Sequence, residues 1–355
     1  MLQPFDAITI DGRPLKGEAI IAYARELHGR VGSAWTRSIL ELFEVLVGKA
    51  PLPVRTSGTT GVPKRIDIQR EDLVASAELT ATTFGLKRGD RALLCLPCEF
   101  IAGKMMVVRA MVLGLDLHIV EPEGSVLAKL NSVDRFRFAA MVPQQLHRAL
   151  RDDRLRVEQQ FDMILLGGGP VSDELIADVS DFRTKVFQGY GSTETVTHVA
   201  LRRLSGAEHN DHFTAIGAVT FAVDARGCLI THTPHLSTRQ HITNDLVELI
   251  DATHFRWLGR FDNVILSGGK KIFPEQLEAR TAAILPYPHY FTSTPDAALG
   301  QALTLLVESA GDEEAATTEA MELLRPLLDR HELPRVVRIV PKFTRTGSGK
   351  IVRNG

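Results

Sequence analysis

The chain has 355 residues, enough to bury a large core and to divide into two domains. Its composition, 44% hydrophobic and 24% charged, is that of a soluble globular protein, and 41 basic residues against 43 acidic ones exclude a general nucleic-acid or acidic-membrane binder. Three cysteines, an odd number in a long chain, argue against a disulfide scaffold and for a reducing, cytoplasmic setting.

No membrane span is expected, because the apolar stretch 100–120 is interrupted by Lys104, Arg109 and Asp116. The start, Met1-Leu2-Gln3-Pro4-Phe5-Asp6, lacks the basic and apolar regions of a signal peptide. The first fifty residues read as helical, with apolar residues at helical spacing over 17–27 and, more densely, 38–47. Pro51 and Pro53 stop the second helix. An alternation follows: helix 71–83, strand 91–96, helix 103–113, strands 117–120 and 138–142, helix 144–151, strand 162–166 and helix 173–179. Strands separated by helices of this length predict parallel α/β layers covered on both faces, with ligands at the carboxyl ends of the strands. Beyond about residue 215 short strands with turns (217–223, 227–232, 246–251) predict a small β-rich subdomain. A boundary is placed at 260/261. The remainder, with strands 264–266, 302–308 and 335–340 and helices 274–283 and 313–328, predicts a small α+β C-terminal lid domain.

Chemistry concentrates in a few stretches. Thr56-Ser57-Gly58-Thr59-Thr60-Gly61-Val62-Pro63-Lys64 combines hydroxyls, glycines that let backbone curl around a polyanion, and an ammonium. Its composition fits a phosphate best, although its order differs from the common nucleotide P-loop and a polar surface hairpin is the alternative. Strand 162–166 runs into Gly167-Gly168-Gly169-Pro170, a turn against which a flat ligand could lie. In Gly189-Tyr190-Gly191-Ser192-Thr193-Glu194-Thr195 an aromatic between glycines offers a stacking ring, and Glu194 a hard oxygen ligand for magnesium. Thr243-Asn244-Asp245 fits an Asx turn or a carboxylate for a ribose diol. Near the C-terminus, Lys350 in Thr346-Gly347-Ser348-Gly349-Lys350 fits a group delivered by domain closure, or a basic tail. Cys95-Leu96-Pro97-Cys98 is read as a buried strand end rather than a redox or metal site.

Taken in this order, the motifs from Thr56 to Arg353 resemble the adenylate-forming family of acyl-CoA ligases, adenylation domains and luciferases. The resemblance implies ATP, Mg²⁺ and coenzyme A as co-reactants. Thr56, Ser57, Gly58, Thr59, Thr60, Gly61 and Lys64 would grip the ATP phosphates, and Tyr190, with Gly191, Gly168 and Gly169 near it, would lie against adenine. Glu194, beside Thr193, would hold magnesium. Asp245, aided by Arg260, would bind the ribose, and Lys350 would bridge the substrate carboxylate and the α-phosphate. It further implies that the lid (261–355) turns on the main domain (1–260) at Asp262. The turn would bring Ser267, Gly268, Gly269 and Lys270 to the site for thioester formation.

The segment 100–109 is similar to that of the o-succinylbenzoate–CoA ligases, which implies an acyl pocket of Arg109, Ala102, Gly103, Thr195 and His198, with Arg109 facing a second carboxylate. The alternative for Arg109 is a surface or ion-pair arginine. Lys104 is expected to be solvated. The resemblance implies a chain short for this family, with most of the usual N-terminal subdomain expected to be missing, and Asn244 stands where the family carries glycine, a place where asparagine suits a left-handed backbone. A ligase for another acid or for a carrier-protein thiol would share the first half-reaction, and a silent nucleotide-binding protein is the alternative of another class. A homo-oligomer is left open.

Overall fold

The structure is a computed structural model describing residues 4–55, 65–122, 125–345 and 351–353. Before the expected helices it places a hairpin, β1 (Ala7–Ile10) and β2 (Arg13–Lys16), a correction to the all-helical reading of this stretch. The signal for it is local: Asp11-Gly12, with φ of +50° and +75°, is a two-residue hairpin turn after the alternating Ile8-Thr9-Ile10. Pro14 is tolerated because β2 lies at the edge of its sheet. Helices α1 (Glu18–Val31) and α2 (Ala34–Val47) follow, the second capped by the Ser33 side chain on the Thr36 amide. Strands β3 (Leu52–Arg55) and β4 (Arg65–Ile68) pair antiparallel.

The alternation then runs as expected: α3 (Arg70–Phe84), β5 (Arg91–Leu94), α4 (Ile101–Leu113), β6 (Asp116–Ile119), β7 (Phe138–Met141), α5 (Pro143–Gln160), β8 (Met163–Leu166), α6 (Asp173–Val179) and β9 (Lys185–Gly191). Helix α5 outruns its expected end at 151. Asp153 breaks the helical dihedrals, and its side chain caps the Arg156 amide, restarting the helix to Gln160. Strands β10 (His198–Arg203), β11 (Phe213–Ala215), β12 (Thr220–Val223), β13 (Cys228–His232), β14 (Gln240–Asp251) and β15 (His254–Arg260) complete a 13-stranded sheet of order β12-β13-β14-β15-β11-β10-β9-β8-β7-β5-β6-β1-β2. The pairs from β1 through β6, β5, β7 and β8 to β9 are parallel, whereas those from β9 to β12 are antiparallel. The β-rich strands are thus joined edge to edge to the parallel ones through β9 and β10, and keep a core of their own around Phe213, Phe221 and Phe255.

Adjacent residues of the parallel strands enter different cores. Leu94 and Leu165 pack with α1–α4, while Leu93, Ile164 and Leu166 pack with α5 and α6. That two-residue period with both faces apolar is why these strands read as continuous hydrophobic runs.

The C-terminal unit holds β16 (Ile265–Ser267), β17 (Lys270–Ile272), α7 (Pro274–Thr281), β18 (His289–Asp296), β19 (Gly300–Glu308), α8 (Glu313–Leu324) and β20 (Val336–Val340). Its 5-stranded sheet has a separate core around Phe291, Leu305 and Leu324. Strand β18, with prolines in and before it, was not foreseen. No described helix is long and apolar enough to cross a membrane. Cys95 and Cys98 are buried and form no disulfide, and desolvation pushes both thiols up to about 12, so they stay protonated.

Candidate active site

The loops leaving the parallel strands converge at one end of the sheet. Gln145, in the first turn of α5, donates to the Cys95 carbonyl at 2.8 Å and accepts from the Val142 amide at 3.1 Å, tying the exits of β5 and β7 together. Beside them runs the Gly167–Gly169 turn after β8. A Cβ on Gly168 would stand 3.4 Å from Val142, and one on Gly169 3.7 Å from Pro143.

Strand β9 carries Tyr190 into this end. Its ring packs edge-on against Phe255 and tilted against Phe213, with centroids 5.1 and 5.7 Å away. Its hydroxyl donates to Asp245 Oδ2 at 2.6 Å. Burial first, then the Asp245 charge, hold the phenol well above its ordinary range, so it remains a donor. The β14–β15 register sets Asp245 opposite Arg260, whose guanidinium reaches Asp245 Oδ1 at 3.3 Å and Asp262 at 3.5 Å. Tyr190, Asp245, Arg260 and Asp262, distant in sequence, are therefore one connected group.

After β9 the chain turns sharply. A Cβ on Gly191 would fall 2.1 Å from the Thr197 carbonyl oxygen, so no other residue fits where β9 and β10 close on each other. The buried Thr195 hydroxyl accepts the Ser192 amide at 2.8 Å and lies 2.8 Å from the Thr197 carbonyl. That side chain is occupied in holding the loop. Val196 sits at φ +64°, a strained conformation for a β-branched residue. The strained turn leaves Glu194 exposed, with Thr193 half-buried beside it. Among the described residues no hydrogen bond or ion pair engages the Glu194 carboxylate. A free carboxylate at a loop tip fits magnesium, which takes one or two protein oxygens and fills its remaining positions with water and phosphate.

Arg109, on α4, is 1% exposed. Its Nε donates to Thr80 Oγ1 at 3.2 Å, Nη2 to Thr197 Oγ1 at 3.0 Å, and Nη1 faces Met106 Sδ at 3.7 Å. No carboxylate pairs with it among the described residues, and desolvation lowers its pKa to about 10. Thr197 Oγ1, already accepting from Arg109, lies 3.2 Å from His198 Nδ1 and has its proton free to donate there. Burial, then the Arg109 charge, hold the imidazole neutral, well below its ordinary pKa. The proton is thereby assigned to Nε2, a buried atom with no partner among the described residues.

The other pocket candidates divide. Ala102 is exposed in the first turn of α4. Gly103 is buried, and a Cβ there would stand 2.2 Å from the Pro97 carbonyl, so it serves the close approach of α4 to the strand exit. Lys104, expected in solvent, is half-buried and its pKa is lowered by desolvation. Asn244 lies in extended β14, so the left-handed backbone foreseen for it is not adopted. Thr80, Val196 and Thr197 went unnoticed in the sequence. Val196 and Thr197 follow directly on Thr195, and Thr80 is, with Ser76, one of two polar residues on the buried face of α3, which was the available signal.

Thr56, Ser57, Gly58, Thr59, Thr60, Gly61 and Lys64 lie outside the described residues, as does Lys350. Their flanks are described: Arg55 pairs with Arg65, and Arg345 forms an antiparallel bridge with Ile351. Ser267 and Lys270 pair across the β16–β17 turn, where Gly268 and Gly269 have φ of +56° and +79°.

The signature of the AMP-binding enzymes matches residues 55–227. An acyl-CoA synthetase (AMP-forming)/AMP-acid ligase II-like protein of solved structure, from Dyadobacter fermentans, is 35% identical, with 94% of this chain and 95% of that one covered and a TM-score of 0.61. The chain belongs to the adenylate-forming family. Among adenylate-forming relatives, a probable 2-succinylbenzoate–CoA ligase from Mycobacterium tuberculosis is 28% identical over 339 residues, 88% of this chain and 85% of its own. The o-succinylbenzoate CoA synthetase of Bacillus subtilis, solved with its acyl-adenylate intermediate, shares the fold at a TM-score of 0.73 and 16% identity, over 99% of this chain and 95% of its own.

Proposed function

We propose that the chain is an ATP- and magnesium-dependent acid–thiol ligase that converts o-succinylbenzoate to o-succinylbenzoyl-CoA in the cytoplasm. The observation that carries the choice of acid is Arg109, a buried guanidinium whose described partners are hydroxyls and a thioether. A dicarboxylic acid supplies the missing anion through the carboxylate that does not react. His198 Nε2–H, also unspent among the described residues, adds a neutral donor beside that charge.

The other carboxylate attacks the α-phosphorus. A carboxyl O–P bond forms, the bond to the β-phosphate oxygen breaks, and pyrophosphate leaves. Asp245 and Arg260 would hold the ribose and Tyr190 the adenine, keeping the α-phosphate in line. Glu194 would hold the magnesium ion, whose charge offsets that of the phosphates. The Thr56–Lys64 loop and Lys350 would stabilise charge building on the phosphoryl oxygens. Residues 261–355 then turn about Asp262, replacing Lys350 by the Ser267–Lys270 turn. The coenzyme A thiol gives its proton to water as its sulfur attacks the acyl carbon, the carboxyl O–acyl bond breaks, and AMP departs.

The test is pyrophosphate release with ATP and magnesium over a panel of carboxylic acids, with and without coenzyme A. Release and thioester formation selective for o-succinylbenzoate are expected, with release nearly abolished in Lys350→Ala and its circular dichroism unchanged. Selectivity for another acid would overturn the substrate, and release by no acid would overturn the ligase.

A further inference from the structure

The short passage between the two sheets, Phe261-Asp262-Asn263, is tied to the large sheet by a side-chain chain that the reaction does not require. Asn244 Nδ2 donates to the Asp262 carboxylate at 3.0 and 3.4 Å, and Asn244 Oδ1 accepts from Arg226 Nη1 at 2.9 Å. The partners fix the amide orientation, since the reverse would set its oxygen against a carboxylate and its NH₂ against a guanidinium. Arg226 is itself immobilised in the β12–β13 turn. It donates from Nη2 to the Thr243 carbonyl at 3.2 Å, and from Nε and its backbone amide to Asp224, both at 2.8 Å. Its guanidinium also lies 5.2 Å from the centre of the Phe261 ring, so one turn holds Phe261 directly and Asp262 through Asn244.

We propose that Arg226 and Asn244 form a releasable clasp on Asp262, positioning the hinge and setting how the enzyme divides its time between its two half-reactions. The proposal rests on Asp262 being the hinge of the ligase. Arg226 and Asp262 are each 38% exposed, so every contact lies within reach of water and is weak. Weak ties suit a joint that must open in each turnover. A glycine at position 244 could not bridge Arg226 to Asp262. Arg260 supplies a parallel tie, because the guanidinium that reaches Asp262 also holds Asp245, linking hinge and ribose site.

The decisive measurement is hydrogen exchange of the 261–267 backbone in the substrate-free protein, where the Val264 amide closes a turn on Phe261. Asn244→Gly and Arg226→Ala are each expected to speed exchange about fivefold to tenfold, the scale of one exposed charge-assisted bond. The double variant should be no faster than either single, because both break the same chain of contacts. Asn244→Asp, isosteric but a like charge against Asp262, should also be faster, which separates the clasp from lost packing. In the ligase assay both single variants should shift the ratio of pyrophosphate release to CoA transfer in the same direction. Unchanged exchange in either single variant, or a double effect equal to the product of the singles, overturns the clasp. If no acid supports pyrophosphate release the ligase reading falls, while the exchange result still decides the clasp.

Discussion

A guanidinium 1% exposed and held by two hydroxyls and a thioether costs the fold more than an apolar chain of similar length would. Arg109→Met is therefore expected to keep or raise the melting temperature. The same change should cut kcat/KM for o-succinylbenzoate by about a hundredfold or more, the scale of unpairing a buried charge contact. A monocarboxylic analogue should lose little. Equal losses on both acids would return Arg109 to a structural role. Its burial had no sequence signal beyond its place in an apolar helix, and its hydroxyl partners come from elements 29 and 88 residues away. Tyr190 stood out in the sequence because glycines flank it, and Glu194 because it follows in the same Gly-, Ser- and Thr-rich stretch. Val196 was not, since nothing in a valine announces a left-handed backbone.

In the C-terminal unit the Glu278 carboxylate, on α7, accepts the Phe291 amide of β18 at 2.9 Å and pairs with Arg353, anchoring the chain just beyond Lys350. Burial pushes the Glu278 carboxyl up to about 7, with the Arg353 charge the largest opposing influence. Its folded pKa thus exceeds the ordinary 4.5. Between those values the folded chain keeps a proton that the unfolded chain has shed, so stability falls as pH rises from 4.5 to about 7. Arg353→Ala removes the opposing charge and extends the fall to higher pH. Urea unfolding should find the variant close to wild type at about pH 5 and weaker by about 2 kcal/mol at about pH 8, where the half-buried carboxylate loses its charged partner. An equal loss at both pH values would mean that Arg353 acts through its contacts with uncharged groups, the Phe291 carbonyl at 3.3 Å and the Tyr290 ring 5.5 Å away. Elements of this kind were legible where apolar periodicity was long, as in α3 and β5–β8. The β1–β2 hairpin was missed because its four-residue strands abut a strong helical signal, and β18 because prolines mask it.

At the scale of the molecule, the alternation of strands and helices was enough to read the layered sheet. Its continuation into the β-rich strands was not legible, because edge pairing such as β9 with β10 or β11 with β15 leaves no periodic trace in sequence. The apolar cores of the 13-stranded and 5-stranded sheets share no residue. What crosses between them is largely polar: Asn244 with Asp262, and Gly259 held close to Glu275, where a Cβ would stand 2.8 Å from its carboxylate. Units with separate cores and a polar seam fold as separate cooperative blocks. A chain ending at Asp262 is therefore expected to fold and to bind ATP through the Tyr190–Asp245 group, yet to release no pyrophosphate, having lost Lys350. Both tryptophans, Trp35 and Trp257, lie in the larger block, so fluorescence follows that block alone. Its urea midpoint should coincide in the truncated and full chains, while circular dichroism of the full chain adds a second transition. An unfolded truncated chain, or a single shared transition in the full one, would mean that the polar seam couples the two blocks more strongly than their separate cores imply.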